Sequence, residues 1–231
     1  MNYLYLWLNI GSFIIPFLFS FHPRLNFYKK WPSLFPAILI MMLIFIPWDI
    51  AFTNQGYWGF NEAYLSGFAW FGLPLEEWLF FICIPYACLF THYALLELFP
   101  KFAFSERTTQ VIYVFLISAL VICLWFFFDR WYTLVNFSYA ILILGLVYNL
   151  KRYILSPFFA TYLVILIPFF IVNGVLTGTG IEDQVVWYNN LETIGVRLAT
   201  IPIEDIIYNL AMLLTVFVFT ERFESRPIRS K

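Results

Sequence analysis

Runs of about twenty apolar residues, separated by short polar breaks, recur along the whole 231-residue chain. A hydrocarbon core about 30 Å thick takes about 20 residues of α-helix, so each run predicts a membrane-spanning helix. The breaks set seven spans, at about Tyr3 to Phe21, Leu34 to Phe52, Pro74 to Leu96, Val111 to Phe128, Trp131 to Leu150, Pro157 to Leu176 and Ile201 to Thr220. The first lacks a basic leader and a small-residue cleavage site, so it reads as an anchor rather than a signal peptide. A turn-rich loop beginning Thr53-Asn54-Gln55-Gly56 precedes the third span, and a longer one, Thr177 to Arg197, precedes the seventh.

The polar breaks are not alike in charge. With the N-terminus on one side, the opposite side collects Arg24, Lys29, Lys30, Lys101, Arg107, Lys151, Arg152, Arg222, Arg226, Arg229 and Lys231, while only Arg130 and Arg197 remain on the first. Positive loops face the cytoplasm, which predicts an outside N-terminus and a cytoplasmic C-terminus, in a bacterial plasma membrane.

Two breaks in the apolar pattern carry the candidate chemistry. Pro74-Leu75-Glu76-Glu77-Trp78 lies in a run from about Phe68 to Leu96 that holds no other charge, and Pro202-Ile203-Glu204-Asp205 opens the seventh span in the same order. A charge inside a span costs about 2.5–3.5 kcal/mol even on lenient scales, so such residues mark function by default. Proline at the first helical position with acids in the first turn is also an ordinary helix start, and that bland reading stands beside the functional one. Ile46-Pro47 and Ile167-Pro168 precede the two motifs at offsets of 121 and 128 residues between copies, so the chain contains an internal repeat. The expected fold class is therefore an all-α integral membrane protein of seven transmembrane helices, built from two parallel three-helix repeats (1–100 and 130–220) joined by a linking helix (101–129). It forms one membrane domain, 1–231, with a cytoplasmic basic tail at 221–231. Sites in such folds lie between the halves, which directs both acidic pairs to one cleft in the outer half.

Composition narrows the function classes. At 62% hydrophobic and 12% charged, with net charge -1, the chain offers no basic surface for nucleic acid. Cys83, Cys88 and Cys123 are odd in number and lie in apolar runs, as buried thiols rather than a disulfide frame, and neither they nor His22 and His92 have metal-ligand spacing. Thr177-Gly178-Thr179-Gly180 has only two glycines and follows a span, so it reads as a loop and not as a dinucleotide fingerprint.

The repeated Pro-x-Glu-(Glu/Asp), with Gly195-Val196-Arg197 before the second copy and Tyr208-Asn209 after it, resembles the small membrane lycopene cyclases in their fused tandem form. The resemblance implies a carotenoid cyclase that turns the ψ-end groups of lycopene into rings without net redox change and without a cofactor, within the bilayer and with other enzymes of carotenoid synthesis as candidate partners. The first repeat is expected to lack counterparts of Gly195 and Arg197, and Phe170 stands where the first has Asp49.

Such a cyclisation needs a proton delivered to an alkene, a carbocation shielded from water and removal of a different proton. Carboxyl groups in a dry aromatic cavity suit each step. The catalytic candidates are Glu76, Glu77, Glu204 and Asp205, and the supporting candidates are Asp49, Trp78, Asn173, Arg197, Tyr208 and Asn209. Adjacent helical residues point about 100° apart, so one acid of each pair faces the cleft. Residues four apart share a helix face, which sets Tyr208 beside Glu204 and Asn209 beside Asp205 and leaves Glu76 and Glu77 with Phe80 and Phe81. Arg197 is expected to pair with Glu204 or Asp205. On these grounds Glu76 or Glu77 donates the proton, while Glu204 and Asp205 stabilise the cation or take up the final proton. The rival readings are a seven-helix proton-coupled transporter and a membrane protein that binds carotenoid without turnover. A retinal protein is disfavoured because every lysine falls outside the spans.

Overall fold

The computed structural model describes residues 3–224. Within them lie seven α-helices: α1 (Leu4–Phe19), α2 (Trp31–Asn54), α3 (Leu75–Leu98), α4 (Glu106–Phe126), α5 (Trp131–Lys151), α6 (Leu155–Leu176) and α7 (Ile203–Glu224). Arg226, Arg229 and Lys231 of the expected tail lie outside the described residues. Five stretches are long and apolar enough to cross a membrane, namely Phe27–Asn54, Leu75–Leu98, Glu106–Phe126, Trp131–Leu176 and Ile203–Glu224. The fourth of these joins α5 and α6 through a 3-10 turn at Arg152–Ile154, and α1, with 16 residues, is shorter than the rest.

Helix α7 is the axis of the bundle. Every residue from Asn209 to Phe217 is buried, as expected of a helix that is apolar on all sides and packed on all sides. Helix α5 packs along α7, as α1 packs along α3, and across the bundle α2 meets α7 while α6 meets α3. Helix α4 lies outermost against α5 and α6, with only Thr109 and Leu120 buried. At the end of the bundle holding the starts of α2 and the end of α7, Lys30 Nζ lies 2.8 Å from Glu224 Oε1.

At the other end the loops are built rather than irregular. Strand β1 (Trp58–Phe60) pairs antiparallel with β4 (Val186–Tyr188), tying the loop before α3 to the loop before α7. Ahead of each acidic motif stands a two-residue hairpin: β2 (Ala69–Trp70) with β3 (Leu73–Pro74), and β5 (Arg197–Leu198) with β6 (Ile201–Pro202). The registers coincide, since Ala69 faces Pro74 as Arg197 faces Pro202. Both hairpins turn through a left-handed residue, Phe71 at φ 52 and Ala199 at φ 55. Gly67 (φ 87) occupies the place of Gly195 (φ 81), a conformation that L side chains rarely adopt. The expectation that Gly195 has no partner in the first half is thereby corrected, and the residue opposite Arg197 in the comparison is Ala69.

Candidate functional site

Each acidic pair is divided by its helix start. Glu76 and Glu204 are fully buried, and each turns back to its own hairpin loop. Glu76 Oε1 accepts from the Ser66 backbone N–H at 2.6 Å, and Glu204 Oε1 accepts from Ile194 N–H at 2.6 Å. The backbone carbonyls of the same two residues are held by Asn9 Nδ2 and Asn136 Nδ2, both at 2.8 Å. Glu204 Oε1 also accepts from Thr133 Oγ1 at 2.8 Å. The first acid of each pair is thus a staple between helix, hairpin and neighbouring helix.

The second acid turns inward. Glu77 and Asp205 line one chamber of about 60 Å³, together with Asp49, Asn173, Tyr208 and Asn209. Tyr5 of α1 donates to Glu77 Oε2 at 2.6 Å, and Tyr132 of α5 donates to Asp205 Oδ1 at 2.6 Å. Asp205 accepts two further bonds on Oδ2, from Asn173 Nδ2 at 2.9 Å and Tyr188 Oη at 3.0 Å. Burial and the Asp205 carboxylate push the Tyr188 phenol well above its usual range, so it is the donor in that contact. Asp49 is 1% exposed; its Oδ1 accepts from Trp58 Nε1 at 2.7 Å. Trp58 and Tyr188 come from the β1 and β4 ribbon, which closes the chamber from the loop side. Three carboxyl groups from α2, α3 and α7 therefore share one small space, and among the described residues no Lys or Arg lines it.

Four expectations change. Arg197 makes no ion pair with Glu204 or Asp205 among the described residues. Its guanidinium donates to Thr200 O at 2.7 Å and Asn190 Oδ1 at 2.9 Å, and sits 5.8 Å from the Tyr188 ring centre, because the hairpin register directs it along its own turn. Trp78, one residue past Glu77 and so about 100° further round the helix, lies outside the chamber. Its Nε1 donates to Trp70 O at 3.2 Å, beside the exposed Trp70 and Phe71. Tyr208 lines the chamber instead of serving Glu204, whose side-chain bonds come from Thr133 and Ile194. The first pair is not left with Phe80 and Phe81 alone, since Tyr5 and Ser66 reach it from other elements. The three cysteines are free and half-buried.

Sequence reasoning missed Tyr5, Tyr132, Thr133 and Trp58. A signal for the first two was there: Tyr5 precedes Asn9 by one helical turn, as Tyr132 precedes Asn136, at matching places in two apolar runs. Such paired polar residues on one helix face mark an internal hydrogen-bonding edge. Trp58 and Thr133 carry no comparable pattern.

No curated protein and no solved structure matches the chain. A family model described as lycopene cyclase matches it twice, over residues 2–96 and 129–223. The two matches leave out α4, and each contains one hairpin, one acidic helix start and one Tyr-x-x-x-Asn edge. With most of its length covered by two tandem copies of that model, the chain belongs to the lycopene cyclase family.

Proposed function

We propose that the protein is a lycopene β-cyclase-like carotenoid cyclase, an isomerase that closes ψ-end groups by acid-catalysed, non-redox cyclisation at Glu77, Asp205 and Asp49. The observation that carries this reading is the convergence of these three carboxyl groups, and of no cationic side chain among the described residues, in one chamber. Like charges in a dry space do not all ionise, so the group retains a proton to give. Glu77, with one hydrogen-bond donor, gives it to the terminal alkene; the new cation is attacked by the neighbouring double bond, which forms the ring C–C bond. Asp205, fixed by three donors, faces the cation with negative charge, and Asp49 or Asp205 takes the proton lost from the ring. One proton enters and one leaves, so the product is an isomer of the substrate. Glu76 and Glu204 position the helix starts. Arg197 clamps the hairpin beside Tyr188.

In the same reading all seven helices cross the membrane as two parallel three-helix repeats, over 1–100 and 130–220, with α4 restoring direction between them. The repeated hydrogen bonds and hairpin registers support this arrangement. The chamber then lies in the outer, non-cytoplasmic half.

Expression in a host that accumulates lycopene tests the activity. The wild-type chain is expected to convert it to ringed carotenes, and Glu77→Gln to leave it acyclic at equal protein level. Unchanged lycopene with well-inserted wild-type protein would sink the cyclase reading in favour of binding or transport. Reporter fusions after Arg107 and after Leu150 are expected on the cytoplasmic side, and an external signal at both would reverse the topology.

A further inference from the structure

The chamber accounts for little of a long carotenoid. By the same measure one water takes roughly 10–15 Å³, so about 60 Å³ admits only the tip of an end group. A second cavity, of about 170 Å³, adjoins it and shares Phe80, Phe169, Asn173 and Asn209 with it. This cleft runs between α1, α3 and α6, and Pro16, Ile84, Ala87, Thr91, Ile165 and Val172 are among its walls. From Phe80 to Thr91 along α3 is about 16 Å of helix, so the cleft leads from the acids toward the far side of the bundle.

The family's two tandem matches and the recurring hydrogen bonds give every wall a counterpart in the other half. There, between α5, α7 and α2, the space is filled. Tyr139 stands where the cleft has Ser12, Tyr208 where it has Phe80, Trp48 where it has Phe169, and Thr215 where it has Ala87. Phe45, Trp48, Tyr139 and Tyr208 form one aromatic block, with ring centres 5.2 Å apart for Phe45 and Tyr139 and 5.4 Å for Trp48 and Tyr208. Tyr139 and Thr215 lock it with a hydroxyl contact of 2.8 Å.

We propose that the polyene of the substrate lies in the cleft between α1, α3 and α6 that adjoins the chamber, with its end group at Glu77, and that the aromatic block closes the equivalent groove of the second half. The protein therefore takes one end group at a time, always from the same side, and a carotene with two rings must leave and re-enter. Ala87 and Thr91 set the bore of the cleft. The inference rests on the proposed carotenoid substrate, but not on turnover.

The test uses the full chain carrying Glu77→Gln, purified from lycopene-accumulating cells, with the pigment held per protein read by absorbance. Adding Ala87→Trp or Thr91→Trp is expected to lower the retained lycopene at least tenfold, while Leu43→Trp, on an exposed face of α2, changes it less than twofold. In the otherwise wild-type chain the same two wall variants are expected to lower ring formation in parallel. Should both wall variants fail to fold, thiol labelling decides: Cys88 lines the cleft, and bound lycopene is expected to protect it in a Cys83→Ser, Cys123→Ser chain carrying Glu77→Gln. Undiminished pigment in folded wall variants, no pigment in the Glu77→Gln parent, or unprotected Cys88 would overturn the cleft. Loss of pigment in the wall variants of a chain that never forms rings would keep the cleft and remove the cyclase reading instead.

Discussion

At Glu77 the structure supplies one hydrogen-bond donor, Tyr5; at Asp205, in the equivalent place of the other half, it supplies Tyr132, Asn173 and Tyr188. The backbone around the two is the same in hairpin register, left-handed turn, staple and tyrosine from the neighbouring helix. What differs comes from elsewhere, from β4 and from the end of α6. The comparison teaches that duplication reproduced the scaffold that aims a carboxyl group, while residues outside the repeated contacts decided what each carboxyl can do. The neighbouring clefts diverged in the same manner, one open along α3 and the other filled by aromatic rings along α7.

The sharpest way to break this comparison is to exchange the inward acids for amides, which keep volume and polarity but cannot exchange a proton. General acid or base groups contribute typically 10²–10⁴-fold, so Glu77→Gln and Asp205→Asn are each expected to lower turnover at least ~100-fold with little change in thermal stability. Product analysis beside a thermal aggregation curve checks both, and near-normal turnover in either variant would remove that acid from the reaction.

A smaller effect separates the two acids by their donors. Tyr5→Phe removes the Glu77 side chain's partner, whereas Tyr132→Phe leaves Asp205 with two. Losing a buried hydrogen bond costs about 1–3 kcal/mol, so turnover is expected to fall about tenfold or more for Tyr5→Phe and only a few-fold for Tyr132→Phe. Equal losses would mean that the number of donors does not distinguish the two sites.

The staples should respond in stability more than in chemistry. Glu76→Gln and Glu204→Gln keep an oxygen for the Ser66 and Ile194 N–H groups but put an amide NH2 in place of the second carboxyl oxygen, a buried atom that in either residue has no hydrogen-bond partner among the described residues. About 1 kcal/mol of stability, or a few degrees in the melting curve, is the expected loss, with turnover within a few-fold of wild type. A collapse of turnover without a stability change would return these residues to the reaction.

The smallest expected effect lies at the ribbon over the chamber. A Cβ on Gly59 would come within 2.3 Å of the Trp187 ring, which is partly exposed and able to swing away. Gly59→Ala is expected to shift stability by no more than about 1 kcal/mol and to raise KM more than it lowers kcat, since β1 carries Trp58 to Asp49. An unchanged KM would detach the ribbon from the site.

Much of this was legible in the residues because hydropathy and helix starts are local properties. The seven apolar runs became seven helices with ends shifted by a few residues, and the two Pro-x-Glu-(Glu/Asp) motifs became two helix N-termini at one end of the bundle, as a charge placed after proline in an apolar run requires. The sequence determined those elements, their repetition and the residue types available to the chemistry. It did not determine which acid of each pair faces inward, because rotation of a helix about its axis is set by what packs against it. Nor did it assign partners: Tyr5 reaches Glu77 across 72 residues and Tyr132 reaches Asp205 across 73, contacts with no local signature. Arg197 shows the converse, for the nearest cation in sequence bonds its own hairpin rather than the acids beside it. Only the packing of α1 on α3, α5 on α7 and the ribbon across both loops brought three carboxyl groups into one chamber, left one cleft open and filled its twin.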